Sequence, residues 1–153
     1  MPGMLLSRIP LLASRIQTEG GRPVRIRGKP EDEGASVYSV SGELDAYTAP
    51  DLRDALDEAL AEGVSWFIVD LTDLAYLDST GLGILVGTAK KSRQADGDLA
   101  VVCAKQNLLK IFSISGTTEI LNVVDSVEAA MVRLRELEES RAETGEGEQE
   151  GGQ

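Results

Sequence analysis

A chain of 153 residues holds about one domain, with enough core to need no disulfide or metal staple. Hydrophobic residues make up 42% and aromatics only 4%, and the formal net charge is −11, so a compact aliphatic α/β domain fits while stacking platforms and a basic stripe for nucleic acid do not. Histidine is absent, which excludes Ser-His and Cys-His nucleophile activation, His metal ligation and His proton shuttling.

In chain order, the leader Met4-Leu5-Leu6, Ile9, Leu11-Leu12 and Ile16 with Arg8 and Arg15 is amphipathic, but Pro10 interrupts it. Residues 1–22 are expected to form a flexible extension, with a membrane-surface helix as the competing reading. No run approaches the roughly 20 apolar residues that span a bilayer, so no membrane association and a cytoplasmic location are expected. Val24 to Arg27 and Val37 to Val40 read as a hairpin around the turn-like Gly28 to Gly34. Thr48 is placed to cap a first helix, with Pro50 in its first turn, an apolar stripe of Leu52, Ala55, Leu56, Ala59 and Leu60, and Gly63 as its stop.

Trp66 to Val69 is a nearly continuous apolar run, as in a central strand buried on both faces. A loop is expected over Asp70 to Asp78. A second helix opens at Ser79 or Thr80, with Leu82, Leu85, Val86 and Ala89 on one face and Lys90, Lys91 and Arg93 at its end, where cations suit the dipole. Leu99 to Cys103 reads as a strand, Asn107 to Phe112 as a short helix and Glu119 to Val124 as a weak edge strand. Asp125 and Glu128 read as a capping box for a final helix along Val127, Ala130, Met131, Leu134 and Leu137. The order β-β-α-β-α-β-α-β-α predicts an α/β fold with a mostly parallel mixed sheet over 23–139, and crossover helices make several inner strands parallel. Residues 140–153, rich in Glu, Gly and Gln, read as an acidic disordered tail. Cys103, the single cysteine, excludes an internal disulfide and reads as a plain buried thiol.

The chemistry-bearing candidates are few. Asp78-Ser79-Thr80-Gly81-Leu82-Gly83 opens the second helix. One reading of its serine is an ordinary N-cap. The other starts from Gly81 and Gly83, which weaken the first turn by up to about 1 kcal/mol each relative to alanine and suggest a reason for bare backbone. Gly83 and Gly87, four residues apart, with Ile84 and Thr88 beside them, would form a flat stripe on which another protein could pack; alternatively the glycines face inward and bring the helix close to its own sheet. Ser79 would lie where the positive helix end favours an anion, so the fold should tolerate a phosphate there.

Gly42-Glu43-Leu44-Asp45 is either a plain turn or an arm that brings Asp45 to the same sheet end as Ser79. The glycine run misses the G-x-G-x-x-G spacing and lacks a Gly-Lys-Ser/Thr ending, so nucleotide binding is weakly supported. Scattered carboxylates show no metal-ligand spacing. No catalytic residue, metal or cofactor is expected.

Gly42-Glu43-Leu44-Asp45-Ala46-Tyr47-Thr48-Ala49-Pro50, Tyr76-Leu77-Asp78-Ser79-Thr80-Gly81-Leu82-Gly83 and Phe112-x-x-x-Gly116 closely resemble anti-sigma factor antagonists of the STAS domain family, over about Val24 to Leu137. The resemblance implies a non-enzymatic regulator whose unphosphorylated form binds an anti-sigma factor serine kinase and frees the sigma factor. It implies that the kinase phosphorylates Ser79, with Thr80 the adjacent rival, and that a PP2C-type phosphatase restores it. It also implies that Asp45 contributes to kinase recognition, and that the docking surface includes the helix after Ser79, hence Asp78, Thr80, Gly81, Gly83, Ile84 and Gly87. The competing function is a STAS scaffold or interaction module in a stress-sensing or membrane-transport assembly.

Overall fold

The computed structural model of the protein describes residues 15–17, 24–30 and 35–151. Among these residues, seven strands and four helices follow in the order β1 (Arg15–Gln17), β2 (Val24–Pro30), β3 (Ser36–Leu44), α1 (Ala49–Ala61), β4 (Trp66–Asp70), β5 (Leu74–Leu77), α2 (Ser79–Gln94), β6 (Asp98–Val102), α3 (Gln106–Ser115), β7 (Val123–Val124) and α4 (Val127–Gly151). The sheet runs β1-β2-β3-β4-β6-β7, and β5 pairs with β3 beside the main path. β1, β2 and β3 are antiparallel neighbours, whereas β3 with β4, β3 with β5, β4 with β6 and β6 with β7 are parallel.

The layers follow from side-chain alternation along the buried strands. Phe67 and Val69 of β4 join Tyr38 and Val40 of β3 in a large core against Leu52 and Leu56 of α1, Leu85 and Ala89 of α2, and Leu108 and Phe112 of α3. Ile68 points the other way, with Val37, Ala100 and Val102, against Ala130 and Leu134 of α4. Three helices therefore cover one face and α4 covers the other, the expected central strand being β4.

The helix ends explain several glycines. Gly63, at φ 101°, ends α1 in a Schellman arrangement, with Val64 N–H donating to Ala59 O at 3.0 Å and Gly63 N–H to Leu60 O at 3.1 Å. Gly116, at φ 74°, ends α3 in the same way, with Thr117 N–H on Phe112 O at 2.9 Å, which gives the Phe112-x-x-x-Gly116 spacing a backbone cause.

The structure differs from the sequence reading at several places. Leu74–Leu77, expected as loop, is strand β5, because Leu74 and Leu77 bury against the core while Ala75 and Tyr76 face solvent. Arg15–Gln17, inside the expected extension, pairs with β2; the leader from Met4 to Leu12 and most of the hairpin turn lie outside the described residues. Of the expected edge strand only Val123–Val124 forms, since Thr118 to Asn122 instead make turns. Thr48 precedes α1 without capping it by side chain; its hydroxyl donates to Glu43 O at 2.7 Å. The cap of α4 is Ser126 rather than Asp125, with Ala129 N–H on Ser126 Oγ at 3.0 Å.

The final helix also runs on through the stretch expected as a tail, to Gly151. Its Arg141 donates to Asp98 Oδ2 and to Gly97 O, both at 2.6 Å, and its guanidinium lies 5.7 Å from the Trp66 ring centroid. These contacts hold the helix against the sheet beyond residue 139, where composition alone reads as solvated chain.

Candidate functional site

The parallel strands β3 and β5 end in register, Leu44 beside Leu77, and Asp78 N–H donates to Leu44 O at 3.1 Å. Asp45 and Asp78 therefore leave the sheet side by side at the carboxyl ends of the strands, where open α/β folds place their sites. The sequence expectation of a shared edge for Asp45 and the Ser79 helix agrees with this register.

The two carboxylates do similar work on different segments. Asp78 takes an extended backbone, and its Oδ1 accepts from Thr80 N–H at 2.9 Å and Gly81 N–H at 3.0 Å, so it is the N-cap of α2. Ser79 is then the first helical residue and not the cap, which corrects the ordinary reading of that serine. Ser79 and Thr80 are both exposed, and among the described residues neither hydroxyl has a hydrogen-bond partner. A hydroxyl at such a position is free for chemistry or contact.

Asp45 is only 5% exposed. Its Oδ1 accepts from Tyr47 N–H at 3.0 Å, Thr48 N–H at 3.1 Å and Thr48 Oγ1 at 3.2 Å, while its own N–H donates to Thr48 Oγ1 at 2.9 Å. Its carbonyl accepts from Ala49 N–H at 2.7 Å. The whole β3–α1 turn is closed around this one side chain.

The glycines divide between the two alternatives. A Cβ on Gly81 would lie 2.7 Å from Leu77 Cδ1 and 3.0 Å from Leu44 Cγ, so Gly81 is buried and serves close packing of α2 on the sheet. That places Gly81 in the interior rather than on a docking surface, contrary to its expected role. A Cβ on Gly83 or Gly87 would meet nothing within 4 Å. Their bare backbone answers no need inside the chain. Ile84 is half-buried beside them, whereas Thr88 is buried and drops out of the stripe.

Two exposed aromatics at this edge stand in the matching motifs but carried no role in the sequence reading: Tyr47, 65% exposed on the β3–α1 turn, and Tyr76, in β5 opposite Glu43. The signal for Tyr47 was its place between Asp45 and Thr48, and for Tyr76 the unrecognised strand hid it. At the end of β6, burial pushes the Cys103 thiol pKa above its ordinary value, against smaller opposing contributions from the Lys105 backbone and charge. Such a thiol stays protonated and inert at neutral pH. Among the described residues no cluster of His, Cys, Asp or Glu could hold a metal ion, and no helix is long and apolar enough to cross a membrane.

The chain is similar to known proteins in sequence and in fold. The chain is 40% identical over 101 residues to the anti-sigma-B factor antagonist of Listeria monocytogenes, an alignment covering 65% of this chain and 88% of that protein. Its fold is similar to the crystal structure of an anti-sigma factor antagonist from Mycobacterium paratuberculosis, with TM-score 0.68 and 28% identity over 73% of this chain and 94% of that one. It is also similar in fold to the anti-sigma factor antagonist SpoIIAA in its unphosphorylated form, with TM-score 0.63 and 22% identity over 72% of this chain and 96% of that one. The STAS domain family matches residues 28–130, which take in both the Asp45 turn and the Ser79 helix, and the chain belongs to that family.

Proposed function

We propose that this protein is an anti-sigma factor antagonist that binds an anti-sigma factor serine kinase when Ser79 carries a free hydroxyl and lets go when Ser79 is phosphorylated. The observation that carries this reading is the exposed Ser79 hydroxyl, left without a structural task because Asp78 caps the helix. The relatedness to an anti-sigma-B factor antagonist supports the partner class. The unphosphorylated chain occupies the kinase and the sigma factor is released to direct transcription; a PP2C-type phosphatase resets the switch in the cytoplasm.

The physical logic is electrostatic. A phosphate adds about −1.5 to −2 charges, and the helix N–H groups it would otherwise attract are already held by Asp78. It therefore projects outward beside a carboxylate, over the surface carrying Thr80, Gly83, Ile84 and Gly87, and repels a partner without disturbing the core. Gly83 and Gly87, with open space where a Cβ would be, let a partner approach the helix backbone.

A pull-down with Ser79→Ala should capture an ATP-binding anti-sigma kinase. Incubating that kinase, ATP and the wild-type chain, then mapping phosphate by mass, should place it on Ser79; phosphate on neither Ser79 nor Thr80 sinks the proposal. Ser79→Ala should keep kinase binding and Ser79→Asp should weaken it. Equal affinities for the two would remove the electrostatic gate.

A further inference from the structure

Resting on that reading of the site, we infer that Asp45 is a positioning residue: its buried carboxylate presents Tyr47 as the aromatic anchor of the docking surface, which fits a partner face bearing arginine or lysine. At 5% exposure Asp45 has little surface to offer a partner, and its Oδ1 is engaged with Tyr47 N–H and both polar groups of Thr48. What the turn displays is Tyr47, with 65% of its surface in water.

The turn is rigid before any partner arrives. Thr48 Oγ1 donates to Glu43 O at 2.7 Å and accepts from Asp45 N–H at 2.9 Å, so strand end, turn and helix start are tied together. An aromatic ring on a fixed turn has only two side-chain torsions to order on binding, which is the economy that makes tyrosine a frequent hot-spot residue. Tyr47 and Tyr76 sit at the edge that carries Ser79; the other large exposed apolar side chains among the described residues, Ile114 and Val132, sit on α3 and α4.

Charge selects the partner's chemistry. Glu43, Asp51 and Asp78 accompany the two tyrosines in the segments at this edge, and the chain as a whole is at −11. A guanidinium or ammonium stacked on the Tyr47 ring meets the ring's negative face within the negative field of this acidic edge. An added phosphate on Ser79 then acts at the margin of the contact rather than at its anchor.

The test uses the full-length chain and the purified kinase identified with Ser79→Ala, by titration and thermal unfolding. Tyr47→Ala should weaken binding at least about tenfold with an unchanged Tm, and Tyr47→Phe should stay within about threefold of wild type. Asp45→Asn should weaken binding, and the double variant Asp45→Asn/Tyr47→Ala should bind no more weakly than Tyr47→Ala alone, because both changes remove one anchor. The association rate should fall at least about threefold from 50 to 500 mM salt. Wild-type affinity in Tyr47→Ala, additive losses in the double variant, or a salt-independent rate overturns the inference while leaving the antagonist reading intact. A wild-type chain that fails to bind the kinase overturns both.

Discussion

At the carboxyl end of the parallel strands, Asp45 and Asp78 each direct a carboxylate to backbone N–H groups of one local turn. At the amino end, Asp98, 2% exposed at the start of β6, binds side chains from two helices: Arg93 of α2, five residues before it, at 3.0 Å and Arg141 of α4, 43 residues after it, at 2.6 Å, with Asn122 beside it at 3.4 Å. The first edge stays open, with Ser79, Thr80 and Tyr47 in solvent; the second is closed by the long-range Arg141–Asp98 ion pair, the nearer Arg93–Asp98 pair and the Arg141–Trp66 stack. Locally satisfied carboxylates leave a surface available to a partner, and non-locally satisfied ones join elements together. Arg93 lies in the last turn of the helix that begins at Ser79, so α2 spans both edges.

The largest effect should come from breaking the closed edge. Asp98→Ala leaves two arginines facing each other without their counter-ion and should cost about 3 kcal/mol in urea unfolding, while kinase binding by the folded fraction stays at the wild-type value. A loss of affinity in that fraction would join the two edges and end the contrast.

The glycine pair sharpens the open edge next. Gly81→Ala drives a methyl into Leu77 and Leu44 and should destabilise by about 1–2 kcal/mol, overpacking outweighing the gain in helix propensity. Gly83→Ala should do the reverse, stabilising by up to about 1 kcal/mol while weakening kinase binding. The same measurement on both variants separates interior glycine from surface glycine, and a Gly83→Ala chain that is more stable and binds unchanged would remove the stripe from the docking surface.

Removing the cap should matter a little less. Asp78→Ala takes the acceptor from Thr80 and Gly81 N–H and should cost about 1 kcal/mol by thermal or urea unfolding. It also frees those N–H groups, so phospho-Ser79 should turn inward and cap the helix. The stability of the phosphorylated variant should then recover toward wild type, a recovery that the wild-type chain has no vacancy to show.

The smallest expected effect is alkaline. Burial raises the Cys103 thiol pKa in the folded state, so between the ordinary 9.0 and the higher folded value the unfolded chain loses its proton first. Stability from this group is complete below pH 9 and declines above it, and Cys103→Ala should flatten that decline in unfolding curves taken from pH 8 to pH 10.5.

Much of the fold was legible in local pattern: the α1 stripe from Leu52 to Leu60, the apolar run of β4 and the hairpin of β2 and β3 all announce their structure within a dozen residues. β5 was hidden because Leu74 and Leu77 bury three apart, which is neither strict alternation nor a helical stripe, and the irregular register with Gly42 and Glu43 is visible only once β3 lies beside it. Within the candidate site, the local roles of neighbouring residues were not legible. Asp78 and Ser79 are adjacent, both suit a cap, and only the extended backbone of Asp78 assigns it. Gly81 and Gly83 look alike in sequence, and the neighbours Leu44 and Leu77 that distinguish them come from other strands. Arg141 was read as tail because its partners, Asp98 and Trp66, lie more than forty residues away.

Trp66 is the chain's only tryptophan, and it stands under Arg141 at the closed edge. Intrinsic fluorescence is therefore a one-sided instrument for this protein. Its emission follows the docking of α4 at Arg141 and is distant from Ser79, so titrations with a kinase should leave the tryptophan signal of the antagonist nearly silent, whereas clipping the chain before Arg141 should change it at once. The tryptophan is a built-in optical readout of the clamp, and an optically quiet background against which a dye placed near Tyr47 would report the partner alone.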